Sequence, residues 1–96
     1  MTTEEILAKV KTDLRFDFDD LDGDLADNIT AALYDLRAAG VNSDPAVMDE
    51  IVLAAVKHYC RNKYNFDGRA EQYERAYIAL KVALSLDPDH KLVSLI

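Results

Sequence analysis

The positions of the helix-breaking residues constrain this fold more than any other feature of the sequence. The 96 residues include only three glycines and two prolines. Helix formers such as Ala, Leu, Glu, Lys and Arg dominate the stretches between them, and β-branched runs are scarce. Gly40, the turn "NFDG" at 65–68 and Asp87-Pro88 divide the chain into stretches of helical length. This punctuation predicts an all-α fold, a small bundle of about four helices with an extended C-terminal tail.

Three of these segments also carry the terminal signals of helices. Thr2 and Glu5 have the spacing of a capping box. Gly40 follows the second segment as a C-cap. Asp44 and Pro45 supply an N-cap and a first-turn proline to the third. The predicted helices span about 4–14, 22–39, 45–62 and 69–86.

The length of the chain allows one small core and not two. We therefore expect residues 1–90 to form a single helical domain and residues 91–96 to form a tail. The tail follows a helix-stopping proline and is too short for another stable helix. Its apolar, β-compatible residues suit an extended segment that adds to a neighbour's sheet edge or lies in a groove. The alternative is a frayed chain end.

The predicted fourth helix has two apolar faces. At 100° per residue, Tyr77 and Leu84 lie on one face, while a second apolar set falls on roughly the opposite side. Because a domain this small cannot easily surround both sides of a helix, the second face indicates a partner, most simply another copy of the chain. The alternative is that the tail folds back and covers it. The candidate protein-interface residues on the helix and the tail are Ile78, Val82, Leu86, Leu92, Val93, Leu95 and Ile96.

The net charge of −7 is concentrated in the first part of the chain. Residues 1–40 carry four Lys/Arg against ten Asp/Glu, whereas residues 41–96 carry seven against eight. Phosphate contacts need clustered cations, so the N-terminal part is a poor nucleic-acid surface. An acidic patch that meets a basic partner, or a wall that repels DNA, fits this distribution.

The most acidic stretch, "DFDDLDGD" at 17–24, suggests a calcium loop, but its register is wrong. An EF-hand loop needs glycine at its sixth position, which places Phe18 at the first ligand position and Ile29 at the twelfth. Both end ligands are therefore missing. We expect a solvated loop in which Asp22 caps the second helix and Asp24 lies in its first turn, where negative charge meets the positive end of the helix dipole.

The histidines and the cysteine do not form a recognisable reactive group. His58 and Cys60 are two positions apart on a helix, so their side chains point about 160° from each other and cannot share a metal ion. His90 follows the fourth helix, just before the tail, and lies far from both in the sequence. With no nucleophile–base pair and no glycine-rich phosphate cradle, we predict no enzyme and no catalytic, cofactor-binding or metal residue. One cysteine and the absence of a signal or membrane segment favour a soluble cytosolic protein.

The order of three segments resembles the small head–tail connector proteins of tailed phages, also called adaptor, head-completion or DNA-packaging proteins. These segments are "NITAALYDLRAAGV" at 28–41, "AVKHYCRNKYNFDG" at 55–68 and "YERAYIALKVALSL" at 73–86. The resemblance covers residues 4 to about 90. The positions that carry it are Leu14-Arg15, Asp35-Leu36, Gly40-Val41, Ala76-Tyr77, Leu80-Lys81, Leu84 and Leu86.

The resemblance implies a structural part of the virion, assembled in the bacterial cytoplasm and placed at the head–tail junction. It implies a ring of about a dozen copies under the portal protein. The ring would extend the DNA channel, let DNA pass without specific binding, and receive the next tail-side connector or stopper protein. No cofactor, catalytic residue or membrane is implied. The alternative function is a small acidic helical regulator that binds a basic protein surface, which would leave the second face of the fourth helix unexplained.

Overall fold

The computed structural model describes residues 1–65 and 67–92, and most of these residues are helical. The helices are α1 (Thr3–Leu14), α2 (Asp22–Ala38), α3 (Glu50–Tyr64) and α4 (Ala70–Leu86). Within the described ranges, β-type pairing is limited to one isolated bridge. The predicted all-α bundle of about four helices is confirmed.

Local signals account for the two ends that the sequence predicted best. At the start of α1, the Thr2 hydroxyl accepts from the Glu5 N–H at 3.1 Å, and the Glu5 carboxylate accepts from the Thr2 N–H at 3.3 Å. These two bonds form the expected capping box, which satisfies two N–H groups that have no partner inside the helix.

Gly40 ends α2 through its backbone conformation. Its φ of +91° lies in the left-handed region, which a side chain disfavours. This turn lets the Gly40 N–H donate to the Arg37 carbonyl at 3.0 Å and the Val41 N–H donate to the Leu36 carbonyl at 2.9 Å. Val41 and Leu36 are both buried, so their contact seals the end of the helix in the manner of a Schellman motif.

The start of α3 differs from the prediction. Asp44 caps only a single 3-10 turn, Pro45–Val47, through the Ala46 N–H at 3.0 Å. Met48 is then extended, and Asp49 caps the true helix by accepting from two first-turn N–H groups at 3.1 Å each. Two caps compete here, and Asp49 satisfies more backbone donors than Asp44 does.

The later start of α3 changes which side chains reach the core. Ile51, in the first turn of α3, is 50% exposed, whereas Met48 is buried from its extended position before the helix. The next turns of α3 supply the centre of the core. The buried members of α3 are Val52, Leu53, Ala55, Val56 and Cys60.

Helices α1, α2 and α3 pack against one another, and α4 packs chiefly on α3. This arrangement makes α4 an outer layer, and its buried residues are Tyr77 and Leu84. One side of α4 therefore faces the core and the other faces away from it. None of the helices in the described ranges is long and apolar enough to span a bilayer.

The chain after α4 turns back onto the loop that follows α2. The Asn42 N–H donates to the His90 carbonyl at 2.7 Å, and the Leu92 N–H donates to the Gly40 carbonyl at 2.9 Å. These bonds flank an antiparallel bridge between Val41 and Lys91. The predicted interface residues Val93, Leu95 and Ile96 lie outside the described residues.

Candidate protein interface

The outer face of α4 is apolar and accessible. Ile78 is 46% exposed, Val82 is 51% exposed and Leu86 is 69% exposed. Their spacing of four residues aligns them along one side of the helix. Residues 90–92 pair with the loop after α2. The side chains of Ile78, Val82 and Leu86 stay exposed. Leu92, the fourth described candidate, is 40% exposed. We call Ile78, Val82 and Leu86 the outer face.

Tyr77 anchors the opposite side of α4. Its ring is buried and meets the Tyr59 ring edge-on, with 5.2 Å between the centroids. Its hydroxyl donates to the Asp35 carboxylate on α2 at 2.5 Å, and the Lys81 ammonium lies 3.0 Å from the same oxygen. The Tyr77 hydrogen bond, followed by Lys81, lowers the pKa of Asp35, while burial raises the pKa of Tyr77. This network fixes the rotation of α4 and so keeps the outer face directed away from the core.

The Asp35 network joins residues that the sequence singled out for another reason. Asp35, Tyr77 and Lys81 all belong to the positions that carry the resemblance described above. Sequence reasoning placed Tyr77 in the core but missed its hydrogen bond to Asp35. The available signal was that a buried tyrosine needs a partner for its hydroxyl. The spacing of Tyr77 and Lys81, which puts both on one helix face, was a second signal.

The basic and aromatic residues at the α3–α4 corner are engaged within the molecule. Arg61 forms a two-bond ion pair with the Asp13 carboxylate on α1, at 2.7 and 2.6 Å. Its guanidinium also lies over the Tyr73 ring, 5.2 Å from the centroid, and Lys63 lies over the Tyr59 ring. These contacts favour a structural role for the corner over a platform on which nucleic-acid bases would stack.

The acidic stretch at 17–24 is bonded to side chains of α1 and α3. Lys11 on α1 pairs with Asp19 at 2.5 Å and with Asp22 at 3.0 Å. The Tyr64 hydroxyl at the end of α3 donates to Asp24 at 2.5 Å. The prediction that Asp22 caps α2 is wrong, because Leu21 occupies the N-cap without a side-chain bond. Lys11 holds the Asp22 carboxylate instead.

The chain is expected to respond weakly to calcium. Among the residues that the structure describes, no three His, Cys, Asp or Glu side chains are grouped so that they could hold a metal ion. Adding millimolar calcium should therefore leave the melting temperature almost unchanged, as scanning calorimetry would show. A rise of several degrees with calcium and none with magnesium would contradict this account of the acidic stretch.

Cys60 and His58 lie on different sides of α3. Cys60 is fully buried, and burial raises the pKa of its thiol to about 12, which makes it a poor nucleophile. His58 stacks near the Tyr73 ring, and burial lowers the pKa of its imidazole. The structure therefore does not bring these two side chains together, in agreement with their helical angles.

Comparison with known proteins identifies one family. A family model described as "Phage connector protein" matches residues 6–91. The match includes the Asp35 network and the whole outer face of α4, and it ends one residue before Leu92. Comparisons with curated proteins and with solved structures give no match.

Proposed function

Because the chain belongs to the phage connector protein family, we propose that it joins head to tail as a ring of about a dozen copies under the portal protein. The ring extends the DNA channel of the portal and receives the next tail-side connector or stopper protein. The family is structural, and in this proposal the chain acts by contact alone, without catalysis or a cofactor. The protein is then a component of the virion at the head–tail junction.

The outer face of α4 is the observation that supports assembly most strongly. A contiguous row of exposed apolar side chains on a rigid helix is typical of a protein–protein contact. The Asp35 network holds this helix in place before assembly, which lowers the cost of ordering the surface on binding. In a ring, each copy presents this face to a different surface of its neighbour, as heterologous contacts require.

The charge of the chain is consistent with a channel for DNA. The excess of acidic residues lies almost entirely within residues 1–40, and several of them cluster at 17–24. A wall of this sign repels phosphates and lets DNA slide without sticking. The positive charge of Arg61 is paired with the Asp13 carboxylate, and the Arg61 side chain is partly buried.

The proposal is tested by mixing the purified chain with its portal protein and measuring co-sedimentation. We expect the chain to sediment with the portal and to remain in the supernatant without it. A chain that stays in the supernatant in both cases would contradict the proposal.

The end of the tail is expected to matter for docking and not for folding. A chain that stops after Leu92 keeps the bridge to Val41 and the bond from Leu92 to Gly40, so its melting temperature and helicity should match those of the full chain. We propose that residues 93–96 contact the portal or an adjacent copy, and their loss should prevent co-sedimentation with the portal. Unchanged portal binding by the shortened chain would leave docking to the helical body.

A further inference from the structure

His90 lies between two carboxylates from different parts of the chain. Its Nε2 is 2.6 Å from Asp49, the N-cap of α3, and its Nδ1 is 2.6 Å from Asp87, which ends α4. The side chain is only 14% exposed. His90 therefore links the start of α3 to the turn that follows α4.

While Asp49 and Asp87 are both ionised, this geometry favours the charged form of the imidazole. An ionised carboxylate only accepts hydrogen bonds, so both ring nitrogens of His90 must carry a hydrogen. The bonds to Asp49 and then Asp87 raise the pKa of His90. Among the described residues, charged groups also lie nearby at Asp89, which lines the same cleft, and at Lys91, the next residue in the chain.

The same short segment carries the backbone pairing with the loop after α2. The carbonyl of His90 accepts from Asn42, and two residues later Leu92 donates to Gly40. These two backbone bonds and the two side-chain bonds of His90 fasten residues 90–92. Losing the proton of His90 removes one donor and leaves a carboxylate beside an acceptor nitrogen, which weakens the fastening.

We propose that His90 is a pH-sensitive latch that, while its ring is charged, links residues 90–92 to the N-terminus of α3 and so holds them on the loop after α2, and that releases them when the ring loses its proton. Release would free the backbone of Leu92, whose side chain is already exposed, from its bond to Gly40, so that it could extend towards a neighbouring copy or the portal; this consequence rests on the proposed function. The latch itself is a property of the single chain. It can therefore be tested without any partner.

The direction of the pH dependence follows from the raised pKa. The latch contributes its full stability below the ordinary pKa of histidine and loses it as the pH rises through the raised pKa of His90. Hydrogen exchange of the Asn42 and Leu92 amides, expressed as protection factors, should therefore show a fall between about pH 5 and pH 9. The fall should be tenfold for each unit by which the pKa of His90 in the native chain exceeds that in the urea-unfolded chain.

Two variants and one internal control make the experiment decisive. His90→Gln removes the titrating group. In this variant the protection factors of the Asn42 and Leu92 amides should be low and independent of pH. Asp49→Asn keeps an oxygen that caps α3 but removes one charge, so the fall should move to lower pH. His58, whose pKa burial lowers, should titrate well below His90 in the same NMR spectra. A flat profile in the natural chain, an equal pH dependence in His90→Gln, or a His90 pKa at or below that of His58 would overturn the proposal.

Discussion

Replacing Tyr77 by Ala is expected to lower the free energy of unfolding by about 3–5 kcal/mol, the usual cost of removing a buried aromatic side chain. Tyr77 is one of the two buried side chains of α4, and it also donates to Asp35. The substitution leaves a cavity beside Tyr59 and removes a hydrogen-bond donor from a partly buried carboxylate. Because the free energy of unfolding of a small domain is low, the variant should be largely unfolded at 37 °C. Urea denaturation followed by circular dichroism measures the loss.

Tyr77→Phe is the matched control for that substitution. It keeps the ring and its contact with Tyr59 and removes only the hydroxyl. Lys81 still pairs with Asp35, so the expected loss is about 1 kcal/mol. If the alanine variant were as stable as the phenylalanine variant, the packing of α4 described above would be wrong.

Replacing Val82 by Asp is expected to abolish assembly while the single chain stays folded. Val82 is half exposed at the centre of the outer face, so the monomer tolerates a charge there. In an assembled contact the carboxylate would be buried without a partner, a cost of several kcal/mol per interface. The same free-energy cost arises at every subunit interface of a ring. Circular dichroism should show unchanged helicity and melting temperature, and sedimentation with the portal should show no bound chain.

Val47→Asp introduces the same change at another exposed valine. Val47 is 63% exposed in the 3-10 turn before α3 and lies outside the outer face. This variant should assemble as the natural chain does. If Val82→Asp unfolded the isolated chain as strongly as Tyr77→Ala does, the outer face would be internal and the interface proposal would fail.

The helix ends that sequence reasoning placed correctly depend on neighbouring residues. The capping box at Thr2 and the left-handed turn at Gly40 are each formed by residues within a few positions of one another. The start of α3 was misplaced because Asp44 and Asp49 are both good caps. The extended conformation of Met48, which separates them, depends on how the chain enters the core.

The spacing of residues along the chain did not predict contacts between distant parts of it. Tyr77 and Asp35 are 42 positions apart, and Arg61 and Asp13 are 48 apart. No local periodicity relates such pairs. The exposure of Val82 was predictable because it depends only on the helical angle between the two apolar faces and on the small size of the domain. In the proposed ring, the surface that meets this face belongs to a neighbouring copy, and helical angles within one chain do not identify that surface.

The mass of the portal complex, measured by native mass spectrometry, tests the central claim most directly. For the natural chain we predict a complex that contains the portal and about a dozen added copies. For Val82→Asp we predict the mass of the portal alone. A natural chain that adds no copies, or a Val82→Asp chain that adds as many as the natural one, would contradict a connector ring built through the outer face of α4.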